Sequence, residues 1–436
     1  MRGGSYIETP EQKISLKDTF AALKHRNFRL FWVGQAISLI GTWMQNIAQA
    51  WLVLELTKSA FWLGVVNAIQ FLPMLFFSLY AGTLIDRLPK RTVLLFTQSI
   101  SAILALVLAV DLQLHTVALW HVLIIAALLG LSNTWDMPTR QAFMIELVGK
   151  EDLMNAIVLN SSIFNAARIL GPTVAGLVIA KLGMNLCFFL NALSFVPVIA
   201  GIAMIRLANQ PPSRLTTDAK PGHEIKVGLN YVIKTPVILA PMILLAVINV
   251  FALNFNVLIP LYARSVFKIG AQGFGLLMAA NGVGAVAGSL ILAAQSKNKI
   301  PKYKTLVISA IGICISELLI VPVKNYPLAY LFLMLVGFSM IIFTTTANSL
   351  IQVHTPNHLR GRVMSIYTLV FMGFTPIGSF LSGDAAHFWG APATLGLGAA
   401  ISLIVIMILA IKYPAIFSLR MNIQKGNKKG PPKVMK

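Results

Sequence analysis

The sequence contains few charged residues, and acidic residues are the scarcest of them. Only 11% of its 436 residues are charged, with 14 Asp and Glu against 35 Lys and Arg. A soluble domain is usually about 25% charged, whereas 57% of this chain is hydrophobic. This composition excludes an ordinary soluble domain and predicts a polytopic protein that lies in a lipid bilayer.

Cysteine is also rare. Both cysteines, Cys187 and Cys314, lie inside apolar runs of the sequence. Cysteines placed in this way are typical of helix packing, so we expect neither a disulfide framework nor a cysteine-based metal site.

Several functional motifs are missing. The sequence has no phosphate-binding loop of the type Gly-x-x-x-x-Gly-Lys-Ser/Thr, so ATP is not expected to drive a process within this chain. It has no paired acids that would hold magnesium and a diphosphate, which disfavours a membrane-embedded transferase. We therefore expect no catalytic residue, no metal and no cofactor. The net charge of +21 comes from bases scattered over short loops, which argues against a nucleic-acid partner.

Long apolar runs dominate what is present. A helix needs about 20 apolar residues to cross a bilayer core, and by this measure the sequence predicts an all-α membrane protein with twelve transmembrane helices. The predicted segments are 28–55, 60–81, 92–113, 116–136, 155–180, 185–206, 236–263, 273–295, 303–323, 327–351, 362–387 and 391–412.

The bases predict the orientation of these segments. Most of the 35 Lys and Arg residues fall in the N-terminal arm, in every second loop and in the tail. The remaining loops hold few bases, namely Lys58, Lys181, Arg264, Lys268 and Lys324. Because cytoplasmic loops carry an excess of Lys and Arg, both termini are expected to be cytoplasmic.

The widest polar gap divides the chain into two halves of six segments. The predicted divisions are a cytoplasmic arm (1–27), an N-terminal half (28–206), a cytoplasmic linker (207–235), a C-terminal half (236–412) and a basic cytoplasmic tail (413–436). Within the linker, Ile225, Leu229, Val232 and Ile233 recur at helical spacing. This pattern indicates an amphipathic helix on the membrane surface, the alternative being a solvated linker.

The loop after the second segment carries the most specific motif. Gly82, Asp86, Arg87, Lys90 and Arg91 place one acid among three bases in a short turn. This pattern resembles the loop between helices 2 and 3 of major facilitator superfamily transporters, in which it would act in gating. That fold implies two six-helix pseudo-repeats, and Gly82-Thr-Leu-Ile is indeed echoed by Gly288-Ser-Leu-Ile. The alternative is a solvated turn that only orients the chain.

A second motif lies in the fifth segment. Asn165, Arg168, Gly171, Pro172 and Gly176 resemble the fifth-helix motif of export-type members of the superfamily, although ordinary packing explains glycine and proline in a membrane helix almost as well. The wider stretch 136–176 looks like the branch that contains enterobactin exporters and macrolide efflux proteins. The resemblance implies transport of a siderophore-like or drug-like molecule across a bacterial inner membrane.

Arg168 is the one base placed well inside a predicted span. A buried arginine needs a partner, a cavity or access to the membrane surface. It is therefore either an anchor for an anionic substrate group, an element of gating, or a structural tie at the cytoplasmic end of the fifth helix.

Acids inside the spans are candidates for coupling protons to transport. They are Glu317, Asp384, Glu55 and Asp136. Glu317 is the most isolated of these, but its segment usually lies outside the central cavity in this superfamily, so packing against neighbouring helices is the alternative role.

Polar side chains in the first segment form a stripe that predicts the transport path. Gln35, Ser38, Thr42, Gln45 and Gln49 are spaced by three or four residues and so share a helix face. The superfamily fold would add to this cavity the asparagines of the fourth, seventh and tenth segments, which are Asn133, Asn249, Asn256 and Asn348. Uncharged amides suit a neutral or amphiphilic organic molecule, and hydrogen bonds between helices are the alternative role.

These observations together predict a secondary active transporter that works by alternating access, with proton-coupled efflux as the hypothesis. Its partners would be a small organic substrate, protons and the lipid bilayer. An importer or facilitator of the same fold is the main alternative, and a membrane-embedded enzyme or sensor is the weaker one. Substrate identity, stoichiometry and oligomeric state stay open.

Overall fold

The computed structural model describes residues 21–85, 88–149, 151–206, 221–295, 302–356 and 359–414. These residues form helices joined by turns and contain no strand. The all-helical prediction is therefore confirmed for the part of the chain that is described.

The first half of the chain contains six long helices, which follow a short 3-10 turn at Ala21–Lys24. They are α1 (Arg26–Thr57), α2 (Ala60–Ile85), α3 (Lys90–Gln113), α4 (Leu119–Val148), α5 (Leu153–Leu182) and α6 (Met184–Met204). Tight turns separate them. Lys58 takes a left-handed conformation (φ 53°) and donates its backbone N–H to the Leu54 carbonyl, which ends α1.

The second half is more broken. After a linker helix (Pro221–Lys234), it contains α7 (Pro236–Phe251), α8 (Phe255–Leu261), a π-helical turn (Tyr262–Val266), α9 (Ala271–Gln295), α10 (Tyr303–Ile320), α11 (Tyr326–His354), α12 (Arg360–Gly373) and α13 (Thr375–Lys412). Gly390 interrupts α13 with a backbone conformation (φ 78°, ψ 163°) that favours glycine.

The predicted seventh segment, 236–263, is not one continuous helix. It breaks at residues 252–254, between α7 and α8. The Asn254 amide donates to the Val250 carbonyl at 2.7 Å, and Gly378 of α13 lies against both residues. The side-chain bond of Asn254 competes with the helical ladder, and the close approach of Gly378 adds a contact from a distant helix at the same point.

Ten helical stretches of the described residues are long and apolar enough to cross a membrane. Helix α1 is not among them, because polar residues interrupt its apolar run. Helices α12 and α13 count as one stretch of 53 residues. The protein is thus an all-helical, multi-span protein.

Helices within each half approach one another closely through glycine. A Cβ atom added to Gly34 of α1 would lie 2.6 Å from the Cα of Val198 in α6. In the second half, a Cβ added to Gly284 of α9 would lie 1.8 Å from the carbonyl oxygen of Met334 in α11. Such contacts bring two backbones together and make each half a tightly packed unit.

The hydrophobic core differs between the two ends of the bundle. We call them the Thr57 end, where α1 stops, and the Arg26 end, where α1 begins. Near the Thr57 end, Met44 and Trp51 of α1 share one core with Phe274 of α9 and with other residues of the second half. A separate core near the Arg26 end contains only first-half residues, between positions 22 and 205.

Candidate functional site

Helices α5 and α9 form one interface between the halves. A Cβ added to Gly275 would lie 2.4 Å from the Pro172 carbonyl oxygen, and one added to Gly282 would lie 3.0 Å from the Arg168 carbonyl oxygen. A Cβ added to Gly176 would lie 2.9 Å from the Cα of Gln272. Small residues therefore let the backbones of the two halves touch along the part of α5 that lies nearer the Thr57 end.

Helices α2 and α13 form the second interface. A Cβ added to Gly64 would lie 2.5 Å from the Ser379 carbonyl oxygen and 2.7 Å from the Cα of Gly383. Asn67 donates a hydrogen bond to the Ser379 hydroxyl at 2.6 Å. This interface again lies in the half of the bundle nearer the Thr57 end.

Aromatic and basic side chains complete the contact at the Thr57 end. The Trp51 and Phe274 rings stack with their centroids 6.2 Å apart, and Arg264 donates a hydrogen bond to the Leu54 carbonyl. The halves are therefore packed together from the Thr57 end to the middle of the helices.

A cavity of about 130 Å³, which we call the arginine cavity, lies next to this closed region. It is lined by Trp43, Arg168, Pro172, Leu253, Phe255, Asn256, Met278 and Asn281. The half-buried Arg168 donates from Nη2 to the Asn281 amide oxygen at 2.7 Å and lies 3.7 Å from the Met340 sulfur. The cavity thus sits between the halves, with one cation in its wall.

A smaller cavity of about 30 Å³, the amide cavity, adjoins it. Its lining is rich in amides and consists of Asn46, Gln49, Ala50, Leu63, Val66, Asn67, Gln70, Phe71 and Asn256. Gln49 donates to the Gln70 amide oxygen at 2.9 Å. Asn256 of α8 lines both cavities, so the two are neighbours.

The polar stripe of α1 reaches several different surroundings. Gln49 lines the amide cavity, but Gln45 accepts a hydrogen bond from Asn191 of α6 inside the first half. Gln35 is 1% exposed, and neither of its polar side-chain atoms has a hydrogen-bond partner among the described residues. Thr42 donates to the Ser38 carbonyl at 2.9 Å. One face of α1 is wide enough to contact α6 as well as the cavity.

The asparagines also separate. Asn256 lines both cavities, whereas Asn249 donates to the carbonyls of Val370 and Phe371 in α12. Asn348 accepts from Gln352 one helical turn away, and Asn133 is half-buried in α4. The alternative role in helix packing therefore describes Asn249, as it does Gln45.

Sequence reasoning missed four polar residues that line the cavities. Asn46, Asn67 and Gln70 surround the amide cavity, and Asn281 holds Arg168. Asn67 and Gln70 are three residues apart in α2, and Asn281 is an isolated amide in a run of small residues. This spacing and this isolation are the features of the sequence from which these residues could have been predicted to line a cavity.

The motif at 82–91 lies partly outside the described residues, since Asp86 and Arg87 are not described and Gly82 is described only as part of α2. Lys90 forms an ion pair with Glu146 at 2.8 Å. Arg91 donates to the carbonyls of Ile202, at 3.0 Å, and Ala203, at 2.6 Å. Both bases therefore tie α3 to other helices of the first half.

The fifth-helix motif spreads along α5. Asn165 donates to the Ser161 carbonyl at 2.9 Å, and Gly171 packs against Trp43 of α1. Arg168 lies in the middle of α5, away from both ends of the helix. It therefore reaches the other half through Asn281, in place of the membrane surface.

The four candidate acids lie apart from one another. Glu317 of α10 is fully buried, and neither carboxyl oxygen has a hydrogen-bond partner among the described residues. Asp136 accepts hydrogen bonds from Thr97 at 2.8 Å and Gln98 at 2.7 Å and pairs with Arg140. Both acids are therefore buried, but their bonding is opposite, because Asp136 has several partners and Glu317 has none among the described residues.

The other two acids are more accessible. Glu55 is exposed and accepts a hydrogen bond from the Trp51 indole at 2.7 Å. Asp384 is half-buried in α13. Neither residue lines the arginine cavity or the amide cavity.

Comparison with known proteins gives matches over nearly the whole chain. Residues 17–431 match the family described as transmembrane secretion effectors. The staphyloferrin A transporter of Staphylococcus aureus is 25% identical over 92% of this chain and 98% of its own length. The multidrug efflux pump Tap of Mycolicibacterium fortuitum is 27% identical over 87% of this chain and 93% of its own length. The solved structure of the nucleoside transporter NupG covers 90% of this chain and 99% of its own, with a TM-score of 0.69 and 12% identity, which indicates a shared fold alone.

Proposed function

The chain belongs to the transmembrane secretion effector family of the major facilitator superfamily, and we propose on that premise that it exports a small organic molecule in exchange for protons. It is a multi-pass bacterial membrane transporter and not an enzyme. The observation that carries the proposal is the pair of polar cavities between the two halves, closed at the Thr57 end. A binding site between two rigid halves is what alternating access requires.

The proposed topology has twelve spans in two six-helix pseudo-repeats. Adding α1 to the ten apolar stretches and dividing the longest one at Gly390 gives this number. The distribution of lysine and arginine supports cytoplasmic termini. On this topology the Thr57 end faces outward, and the described conformation is closed on that side.

Export then needs the Thr57 end to open while the Arg26 end closes. The glycine contacts of α5 with α9 and of α2 with α13 offer smooth surfaces for this rocking motion. In the closed state of the Arg26 end, Asp86, Arg87 and Arg91 would form the latch that their motif implies. Replacing Asp86 by Asn would then impair transport and leave membrane insertion intact.

The cargo we propose is a siderophore-like or drug-like molecule. The amide cavity offers donors and acceptors without charge, and Trp43 and Phe255 offer flat apolar surfaces beside it. The names of the relatives, a staphyloferrin A transporter and a multidrug efflux pump, support this class.

Among the four acids, Glu317 is the proton carrier that the geometry favours. An ionised carboxylate at its position would have neither a donor nor a counter-charge among the described residues, at a cost of several kcal/mol. Binding and loss of a proton would therefore change the packing energy of α10 substantially. Asp136 already has Arg140 and two hydrogen-bond donors, so a proton would change its energy less.

Transport into inverted membrane vesicles tests the proposal. Labelled macrolides and siderophores are added outside the vesicles, with and without an imposed gradient that is acidic inside. Export predicts accumulation that collapses when the gradient is dissipated and that is lost in Glu317→Gln but kept in the exposed control Glu55→Gln. Accumulation only in right-side-out vesicles would instead identify an importer.

A further inference from the structure

Arg168 lies well inside a helix and has no acidic partner among the described residues. Lys90 pairs with Glu146 and Arg140 pairs with Asp136. The neighbours of the Arg168 guanidinium are the amide oxygen of Asn281 and the sulfur of Met340, which are both uncharged. None of the ion pairs of the described residues includes Arg168.

The position of this charge makes the missing partner significant. Arg168 lies midway along α5, far from either end of a 30-residue helix, so its side chain has a long way to reach a membrane surface. A cation at that depth is unfavourable by several kcal/mol unless it is paired or hydrated. The arginine cavity is therefore the place where its charge must be balanced.

The guanidinium also has spare hydrogen-bonding capacity. Arginine carries five N–H donors, and the bonds of the described residues use Nη2 alone. The remaining donors lie in the wall of a cavity of about 130 Å³. An anion that entered this cavity would gain both a counter-charge and hydrogen bonds, in a medium of low polarity that strengthens both.

We propose that the arginine cavity binds a carboxylate group of the cargo, while the amide cavity binds its uncharged polar part. The inference rests on the proposed function, because it names the chemical class of the molecule transported. Asn256 lines both cavities, so one molecule can occupy them together. The cargo is thus an organic acid with a neutral polar portion.

The charge count favours a carboxylate over a phosphate. Arg168 is the one cation among the residues that line either cavity. A single carboxylate carries one negative charge and matches the planar guanidinium with two parallel hydrogen bonds. A phosphate monoester carries up to two negative charges and would remain under-compensated. Trp43 and Phe255 beside the arginine favour an acid attached to an apolar or aromatic group.

A matched pair of probes tests the inference on the purified full-length protein. Tritiated 2-naphthoate and 2-naphthamide have the same size and differ by one charge. Their binding is measured by equilibrium dialysis in detergent, with partition into protein-free micelles subtracted. We expect naphthoate to bind at least about tenfold more tightly, since a hydrogen-bonded charge pair is worth this much. This comparison needs no variant and therefore does not depend on the folding of one.

Variants then assign the preference to Arg168. Arg168→Gln should abolish the preference and Arg168→Lys should keep part of it. Arg264→Gln is the matched control, because Arg264 bonds the Leu54 carbonyl and lines neither cavity. Equal binding of the two probes, binding of neither, or a preference that persists in Arg168→Gln would overturn the carboxylate site.

This test is independent of transport. Vesicles that export a neutral compound, with no naphthoate preference in the dialysis, would remove the carboxylate site and leave the proposed function standing. A clear naphthoate preference without any export would leave the carboxylate site standing and contradict the proposed function.

Discussion

The two ends of the bundle are held together in different ways. At the Thr57 end the halves share one hydrophobic core, and Trp51 stacks on Phe274 across the boundary. At the Arg26 end the first half has a core of its own, and Lys90 and Arg91 bond to helices of that same half. The difference teaches that the contacts between halves are concentrated at the Thr57 end, whereas near the Arg26 end the first half is held together by contacts of its own.

Glycine makes this comparison testable, because it serves both kinds of contact. Gly284 and Gly337 join α9 to α11 within the second half, whereas Gly275 and Gly282 join α9 to α5 across the boundary. The first pair should act on folding and the second pair on the conformational equilibrium.

The largest effect is expected from Gly284→Ala. Its Cβ would lie 1.8 Å from the Met334 carbonyl oxygen, and a backbone atom cannot move aside cheaply. Overpacking of this kind costs about 1–3 kcal/mol or more, so the variant should unfold at a clearly lower temperature, measured by tryptophan fluorescence. Gly361→Ala is the control, since a Cβ there meets no atom within 4 Å. Equal melting temperatures for the two variants would contradict the close α9–α11 contact.

Gly275→Ala should act differently. Its Cβ would lie 2.4 Å from the Pro172 carbonyl oxygen of the other half, and the halves can relieve this clash by separating. A penalty of about 1–3 kcal/mol on the closed state shifts the equilibrium about 5- to 150-fold toward opening of the Thr57 end. An impermeant maleimide added from outside should then label Gln49→Cys faster, while the melting temperature falls less than in Gly284→Ala. Unchanged labelling together with strong destabilisation would show that Gly275, like Gly284, acts on folding and not on the conformational equilibrium.

Two glutamines of α1 allow a finer comparison. Gln45 accepts a bond from the buried Asn191 within the first half, while Gln49 lines the amide cavity. Gln45→Ala leaves the side-chain N–H group of the buried Asn191 without its acceptor and should destabilise the fold by about 1–3 kcal/mol. Gln49→Ala should leave stability nearly unchanged and raise the KM for cargo. A lower melting temperature for Gln49→Ala and a higher KM for Gln45→Ala would contradict this assignment of packing to Gln45 and cargo binding to Gln49.

The fold was largely predictable because bilayer thickness restricts helix length. Apolar runs located the long helices, and Gly390 lies between the predicted segments 362–387 and 391–412. The resemblance of the sequence to the superfamily is confirmed by the family match. The break between α7 and α8 was not predictable, because it depends on Gly378 of a distant helix approaching Val250 and Asn254.

The site was less predictable for a related reason. Spacing places Gln45 and Gln49 on one face of α1, but it does not say which neighbouring helix each residue meets. Asn191 and Gln70 decide that, and they come from α6 and α2. The charge of Arg168 indicated that this residue needs a partner, whereas the partner Asn281 became apparent only from the contact between halves.

The smallest effect is expected at the Arg26 end. A hydrogen bond from His25 and the nearby Lys24 hold the pKa of the Asp152 carboxyl below its usual range. A lowered pKa stabilises the fold above the pKa of the unfolded chain, and this contribution disappears as the pH falls through the folded-state value. Asp152→Asn should therefore lower the melting temperature slightly at neutral pH, and the difference from the wild type should begin to shrink near about pH 4 and disappear below the folded-state pKa. A difference that grew on acidification would contradict this assignment.

The measurement that tests alternating access most directly is the distance between the halves at both ends of the bundle. Spin labels at Lys58 and Lys268 report on the Thr57 end, and labels at Met154 and Lys304 report on the Arg26 end; all four positions are exposed, and both native cysteines are buried. Pulsed electron resonance in liposomes, with and without a pH gradient, gives the two distances. We predict that the first distance lengthens as the second shortens. Two distances that stay fixed, or that change in the same direction, would contradict the account.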